Sequence, residues 1–391
     1  MRLYTRTRWW VKVLAVFVLS RIVTTTIMLV FASQQQQNAW TPANPNYTDF
    51  ATIWDGHWYY IIAMAGYPNV LPVTDDGHVG ENAWAFMPVY PWLVRLLTEL
   101  TLVPYDVVAV AVSVLAAAGT ALVFYRLMLH VLGDPSRALF SVVLFCVAPL
   151  SPILQVAYAE SLHLLLLTTS LLLVVQRRYE WLFPVVAVAS LVRPTGLAFA
   201  LFLVLHVAYR WWNRRREPFG RRELVTSASL ALFSGVMGLA WLLIAWVVTG
   251  SLTAYTDTEM AWRAAYIGHQ HLIPFTPWVQ GANWWLGAPL GALLLLVAVV
   301  LFAWFMFTPW VKRIGVDLRL WVASYVIYLL AVFFPQSSTF RLLMPIFPLL
   351  GALAVPRSRL FRVGLVLLGI AGQIGWMYIG WWVDGADWTP P

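Results

Sequence analysis

Apolar runs of 18 residues or more, separated by arginine-rich stretches, recur along this chain and constrain it more than any motif does. A helix needs about 20 such residues to cross the ~30 Å hydrocarbon core of a bilayer, where backbone polar groups must pair within the segment. The alternating apolar and polar segments of a membrane β-barrel are missing. The sequence therefore predicts an all-α polytopic membrane protein. Its 11% charged against 61% hydrophobic residues agree, because a soluble domain carries about 25% charge. The single cysteine, Cys146, excludes an internal disulfide and a cysteine-based zinc cluster. A net charge of +8 does not imply a nucleic-acid partner here, because the basic residues sit in the loops between apolar spans.

Candidate spans cover 11 to 32, 107 to 129, 137 to 154, 159 to 176, 181 to 194, 196 to 212, 224 to 248, 287 to 308, 317 to 335, 341 to 356 and 362 to 383. This predicts about 11 transmembrane helices, of which 181 to 194 and 341 to 356 are short and 137 to 154 is proline-rich and irregular. Segment 84 to 100, with its prolines, Arg95 and Glu99, reads as an amphipathic helix lying at the interface. The first span is expected to be an uncleaved anchor, too long for a signal peptide and without a small-residue cleavage pattern.

With the N-terminus placed in the cytoplasm, one side collects Arg2, Arg6, Arg8, Lys12, Arg126, Arg137, Arg177 and Arg178. The cluster Arg210, Arg214, Arg215, Arg216, Arg221 and Arg222 joins them, followed by Lys312, Arg313, Arg319, Arg357, Arg359 and Arg362. This is the positive-inside pattern. The other side is acidic, with Asp49, Asp55, Asp75, Asp76, Glu81, Glu160, Asp257, Glu259, Asp384 and Asp387. The chain then reads as one transmembrane domain over 1 to 391, with 33 to 106 as a catalytic first outer loop and 249 to 286 as a second large outer loop. Loops of this length are usually functional.

Of the 25 Lys and Arg residues, those outside the pattern are Arg21, Arg95, Arg193, Arg263 and Arg341. Arg21 lies inside the first span, where it must snorkel or find a partner. Arg193 and Arg341 sit beside prolines near the outer ends of hairpins, able to face the same aqueous cavity as Asp55. The outer side also holds His57, His78, His163, His269 and His271. Most tryptophans are accounted for as interfacial anchors. Trp54, Trp58 and Trp262, beside outer charges, are candidates for stacking on a sugar ring.

No phosphate-binding Gly-rich loop, dinucleotide fingerprint or nucleophile elbow is present, so a nucleotide-fuelled cytoplasmic reaction has no support. An outer-face membrane enzyme has no nucleotide sugar available, and a lipid-linked donor is the natural alternative. Such a transfer needs a carboxylate to take a proton from an acceptor hydroxyl and cations to hold the departing phosphate. Asp55 fits the first role and Arg193 and Arg341 the second, since arginine presents a planar fork to phosphate. Trp54, His57, Trp58, Tyr59, Glu160 and Arg263 are the expected substrate-binding residues around them. A glutamate opening a helix, as in AESLHLLLL, is also favoured by the helix dipole alone. No cofactor is expected. His269 and His271, with Asp257 or Glu259, offer an incomplete metal-ligand set, and Asp75-Asp76 in VTDDGHVGEN reads as a solvated turn. Asn46-Tyr47-Thr48 matches a glycosylation acceptor only by a short pattern.

The segments WDGHWYYIIAMAGYP, AFMPVYPWL, YAESLHLLLL, VRPTG and FRLLMPIFPL, in this order, resemble the PIG-V family of GPI mannosyltransferases and its bacterial relatives. The resemblance runs from Trp54 to about Leu350. It implies a membrane glycosyltransferase of the GT-C fold that moves mannose, with inversion, from a polyprenyl-phosphate donor to a lipid, glycan or protein acceptor. By the same resemblance Trp54 and Asp55 match the family's Trp-Asp pair, Glu160 its Ser/Thr-Glu-Ser-Leu glutamate, Arg193 its Arg-Ser-Asn-Gly arginine, and Arg341 its late arginine. Ala159 and Pro194-Thr195 depart from the eukaryotic pattern, so a GPI precursor is not assumed as acceptor. The arginine-heavy, lysine-poor basic set suits a GC-rich bacterial genome, and a bacterial plasma membrane is the expected location. A transporter or flippase of a polyprenyl-linked glycan is the alternative, and a noncatalytic subunit of another transferase a third reading.

Overall fold

Residues 7–384 are described in the computed structural model, so Arg2, Arg6 and Asp387 lie outside the described residues. In chain order the helices of eight or more residues are α1 (Trp9–Ala32), α2 (Asp55–Ala65), α3 (Val89–Thr101), α4 (Tyr105–Leu132), α5 (Pro135–Val147), α6 (Glu160–Val175) and α7 (Leu182–Ser190). They continue with α8 (Gly196–Trp212), α9 (Arg221–Thr249), α10 (Ala254–Ala261), α11 (Pro277–Leu286), α12 (Leu290–Met306), α13 (Gly315–Val332) and α14 (Arg359–Trp376). Among the described residues five helices, α1, α4, α9, α13 and α14 with its continuation to Trp381, are long and apolar enough to cross a membrane. Shorter apolar helices, α5, α6, α7, α8 and α12, stand among them. The described residues are all-helical, and the chain is an integral membrane protein.

Two expected spans are broken. Segment 341 to 356 is divided into the single turn Thr339–Leu342, the 3-10 turn Met344–Ile346 and the short helix Leu349–Leu353. Pro345 and Pro348 remove backbone donors and disfavour helical geometry in the residues before them. Segment 137 to 154 breaks in the same way: α5 stops at Val147, ahead of Pro149, and Ser151–Gln155 is a 3-10 turn.

Arg21 explains how the second break is tolerated. Its side chain, 8% exposed, reaches from the middle of α1 to the carbonyls that the break leaves open. It donates from Nη1 to Ser151 O at 2.7 Å and Gln155 Oε1 at 3.0 Å, and from Nη2 to Cys146 O at 2.8 Å. Orphaned helix-end carbonyls and an intramembrane cation are each costly alone, and here each satisfies the other. Snorkelling is not what this arginine does.

The turn VRPTG has its own packing reason. Gly196 opens α8 where it crosses α9, and a Cβ there would fall 2.6 Å from Gly238 Cα and 2.7 Å from Ser190 Oγ. The closeness also lets Ser234 Oγ donate to Gly196 O at 2.9 Å. Gly196→Ala is therefore expected to cost about 1–3 kcal/mol through overpacking. Thermal unfolding in detergent checks this, with Gly220→Ala as the control, since a Cβ at Gly220 meets nothing within 4 Å.

Helix directions put the functional ends on one side. α1 leads into the first loop, α7 leads into the Arg193 turn that α8 follows, α9 leads into the second loop, and α13 ends at Val332, whose carbonyl accepts from Arg263 at 2.8 Å. The opposite ends are tied by a polar network in which His206 Nδ1 and Asp317 Oδ1 lie 2.7 Å apart. There Tyr179 donates to Glu223 at 3.1 Å and Arg177 pairs with Asp317 at 3.3 Å. In the first loop, α3 is amphipathic as expected, burying Tyr90, Pro91 and Val94 and exposing the Arg95–Glu99 pair at 2.8 Å. The two loops meet where Asn82 Nδ2 donates to Thr258 Oγ1 at 2.9 Å.

Candidate active site

Asp55 is the first residue of α2, and Trp54 before it caps the helix with φ 57° and ψ −121°. For a bulky side chain this is an outlier worth about 1–3 kcal/mol of strain, held by the buried Trp54 ring. It turns the chain sharply enough to aim the Asp55 carboxylate inward while the Asp55 N–H donates to the Tyr158 hydroxyl at 3.3 Å. One helical turn on, Tyr59 shares the Asp55 face, as residues four apart do. Its ring is 1% exposed, packed edge-on against Tyr90 at 5.0 Å, and its hydroxyl has no hydrogen-bond partner.

Three further charges converge on Asp55 from distant parts of the chain. Arg341, in the turn Thr339–Leu342, bonds Asp55 Oδ2 through Nη1 and lies 3.4 Å from Glu160 Oε1. Its guanidinium carbon sits over the Tyr158 ring at 5.1 Å, a cation–π arrangement. Glu160, at the start of α6, is also 3.3 Å from Arg193 Nη2. The Arg193 loop is braced by His163, whose Nε2 is 2.9 Å from Thr195 Oγ1. Two carboxylates and two guanidiniums thus balance in one buried cluster.

The pairing is incomplete, and the gaps fall together. Glu160 Oε1 lies in ion-pair range of both arginines, yet neither Glu160 oxygen makes a hydrogen bond, and Arg341 Nε, Arg263 Nη1, Tyr59 OH and the Trp54 Nε1 are buried without partners. Native interiors rarely leave such groups open, so a cluster of them marks a place for a polar ligand. Burial pushes the Asp55 carboxyl above the usual carboxylate range, with Arg341 pulling the other way and Glu160 adding to the rise. A buried carboxylate with a raised pKa is a stronger base than one in water.

Residues 10–257 match the model of the mannosyltransferase (PIG-V) family. The chain belongs to that family. The matched segment holds Asp55, Glu160 and Arg193, while Arg341 lies beyond it. Membership and the apolar helices together support a membrane glycosyltransferase. No curated protein matches the chain. Among solved structures it is similar to an oligosaccharyltransferase of Archaeoglobus fulgidus, tethered with an acceptor peptide containing the NVT sequon via a disulfide bond. That similarity has 12% identity and a TM-score of 0.45, covering 94% of this chain and 54% of that one. The chain thus spans about half the length of that structure.

In this PIG-V family member the remaining expected site residues separate into two groups. His57 is two residues from Asp55, about 200° round the helix, and it is exposed against the edge of Trp40 at 5.8 Å. Trp58 gives its ring face to Phe86, stacked at 5.6 Å, with Trp262 edge-on at 5.7 Å. That face is not open for a sugar. Arg263 is 7% exposed and donates to Val332 O at 2.8 Å, keeping Nη1 unpartnered. Glu259 joins the site without having been expected there except as a metal ligand. Burial raises its carboxyl, opposed chiefly by Arg263, and Arg193 and Asp55 are close enough to act on it. The signal was present in TEMAWR, where a glutamate and an arginine stand four apart, although α10 ends at Ala261 and Arg263 lies in the turn after it.

Other outer candidates resolve differently. His163 is buried at 3% rather than facing the outer solvent. Asn46 caps the turn Tyr47–Ala51, accepting from the Asp49 N–H at 2.9 Å. The ligand set of His269 and His271 with Asp257 or Glu259 is not assembled, because Asp257 accepts from Thr253 at 2.6 Å and Glu259 faces Arg263. His269 instead lies beside Asp76 and His78.

Proposed function

We propose that this PIG-V family member transfers mannose from a polyprenyl phosphate to a hydroxyl of a lipid, glycan or protein acceptor, on the extracytoplasmic side that the arginine distribution favours. The observation that carries the reading is the buried Asp55–Arg341–Glu160–Arg193 cluster with its open donors. Asp55 takes the acceptor proton as that oxygen attacks the anomeric carbon, and the bond from that carbon to the phosphate oxygen breaks on the opposite face. The sugar is inverted. The charge released on the phosphate goes to Arg341, whose Nε is free, and to Arg193, with Arg263 near the acceptor side through its open Nη1. Glu160 holds both arginines in place until a phosphate competes for them.

A lipid donor is supported by what adjoins Arg341. A cavity of about 580 Å³ begins at Phe340 and is lined by Leu343, Met344, Phe347, Leu350 and Trp376. It offers an apolar path for a prenyl chain whose phosphate rests on the arginine. Gly375 also lines it, and a Cβ there meets nothing within 4 Å, so Gly375→Leu adds an apolar side chain at the cavity wall with no clash at its Cβ. With purified protein, the variant is expected to raise KM for a long-chain polyprenyl-phosphomannose about tenfold, equivalent to about 1.4 kcal/mol. KM for a water-soluble short-chain donor should stay unchanged. Equal KM values for the long-chain donor would remove this cavity from donor binding, and donor bound but never consumed by wild type would turn the reading to transport.

A further inference from the structure

Away from the carboxylate cluster, two histidines and an aspartate converge from separate loops. Asp76 and His78 sit at the tip of a hairpin closed by the Val73–Val79 bridge, and His269 follows the turn Ala264–Ile267 of the second loop. One ligand atom from each of the three lies within 4.8 Å of the others. The His78 and His269 rings stack at 3.8 Å and 8°, and His269 Nε2 is 3.4 Å from Asp76 Oδ2.

The hairpin tip holds its two ligands ready. Gly77, at φ +83°, reverses the chain between them, and the Thr74 hydroxyl donates to Asp76 Oδ1, leaving Oδ2 toward His269. A ligating carboxylate oriented by a neighbouring hydroxyl is the usual outer support of a metal site. The His78 N–H donates to Thr74 Oγ1 at 3.2 Å, which fixes the second ligand's backbone.

We propose that Asp76, His78 and His269 bind a borderline divalent cation of the Zn²⁺ class, clasping the first outer loop to the second. Two imidazoles and one carboxylate suit Zn²⁺, whereas Mg²⁺ and Ca²⁺ prefer all-oxygen sets. Tetrahedral coordination needs ligand atoms about 3.3 Å apart, so the exposed His78 and His269 rings would rotate out of their stack to turn a nitrogen each toward a common ion. The fourth position stays open to water. The clasp matters because the first loop carries Asp55 and the second carries Glu259 and Arg263. It goes beyond the transfer reaction and does not depend on it.

The test uses full-length protein in detergent, without a histidine tag, stripped with chelator and then given ZnCl₂. Wild type is expected to retain one equivalent of Zn²⁺ through gel filtration, and Zn²⁺ should slow proteolysis of the loop around His269. His269→Ala and Asp76→Asn should elute as wild type does, retain no Zn²⁺ and lose the protection. No retained Zn²⁺ in wild type would overturn the proposal. So would stoichiometric Zn²⁺ that survives both loop variants, or that is lost in Glu160→Gln, which would move the metal to the carboxylate cluster.

Discussion

Asp55→Asn is expected to lower mannosyl transfer by about 10²- to 10⁴-fold, the usual range for loss of a positioned general base, with little change in thermal unfolding. The amide cannot take the acceptor proton, yet it fills the same volume at the start of α2. Arg341 keeps a charged neighbour, Glu160 at 3.4 Å, so the buried cation is not orphaned. The wild-type pH profile gives the same residue a second test. Burial raises the Asp55 carboxyl, so its proton is held to a higher pH than the usual carboxylate range. The rate should therefore be full where the carboxylate is ionised and fall as the pH drops through the raised pKa, above the ~3.9 of an unperturbed aspartate. The Asn variant should show no such limb. Turnover measured across pH, with unfolding followed in parallel, decides it; an Asn variant that keeps more than about a tenth of the rate removes Asp55 from proton transfer.

Charges were the legible part of this sequence, because a membrane protein can keep an arginine or aspartate in apolar surroundings only where something compensates it. Asp55, Glu160, Arg193 and Arg341 stood out for that reason, and the fold brings them within ion-pair distance of one another. Hydropathy also read the helical bundle. It misread 341 to 356 as a span because it weighs side chains and ignores that Pro345 and Pro348 interrupt the backbone. Arg21 was legible as a problem but its solution was not, since its partners lie about 130 residues away, at Cys146, Ser151 and Gln155. Around Asp55 the sequence grouped neighbours, whereas the helix sorts them by face. Tyr59 turns toward the charges and His57 away, a distinction the 3.6-residue period contains once α2 is known to begin at Asp55.

Arg341→Lys is expected to leave the bundle folded and to cut turnover about 10²- to 10³-fold, as does loss of one donor to a developing charge. Lysine keeps a cation beside Asp55 and Glu160, so the carboxylates stay neutralised. It lacks the planar fork and the open Nε that a phosphate would use. Arg341→Ala differs, because it leaves two buried carboxylates facing each other with Arg193 alone to offset them, at a cost of about 3–5 kcal/mol. The double variant Asp55→Asn with Arg341→Met separates the two effects. Removing both members of the pair should restore much of the thermal stability lost in Arg341→Ala, while transfer falls to or below the Asp55→Asn level. Melting temperatures of the three variants beside their turnover test this. If Arg341→Lys transfers mannose at the wild-type rate, the cation acts only as a counter-charge for Asp55, and the phosphate must be held by Arg193 or Arg263.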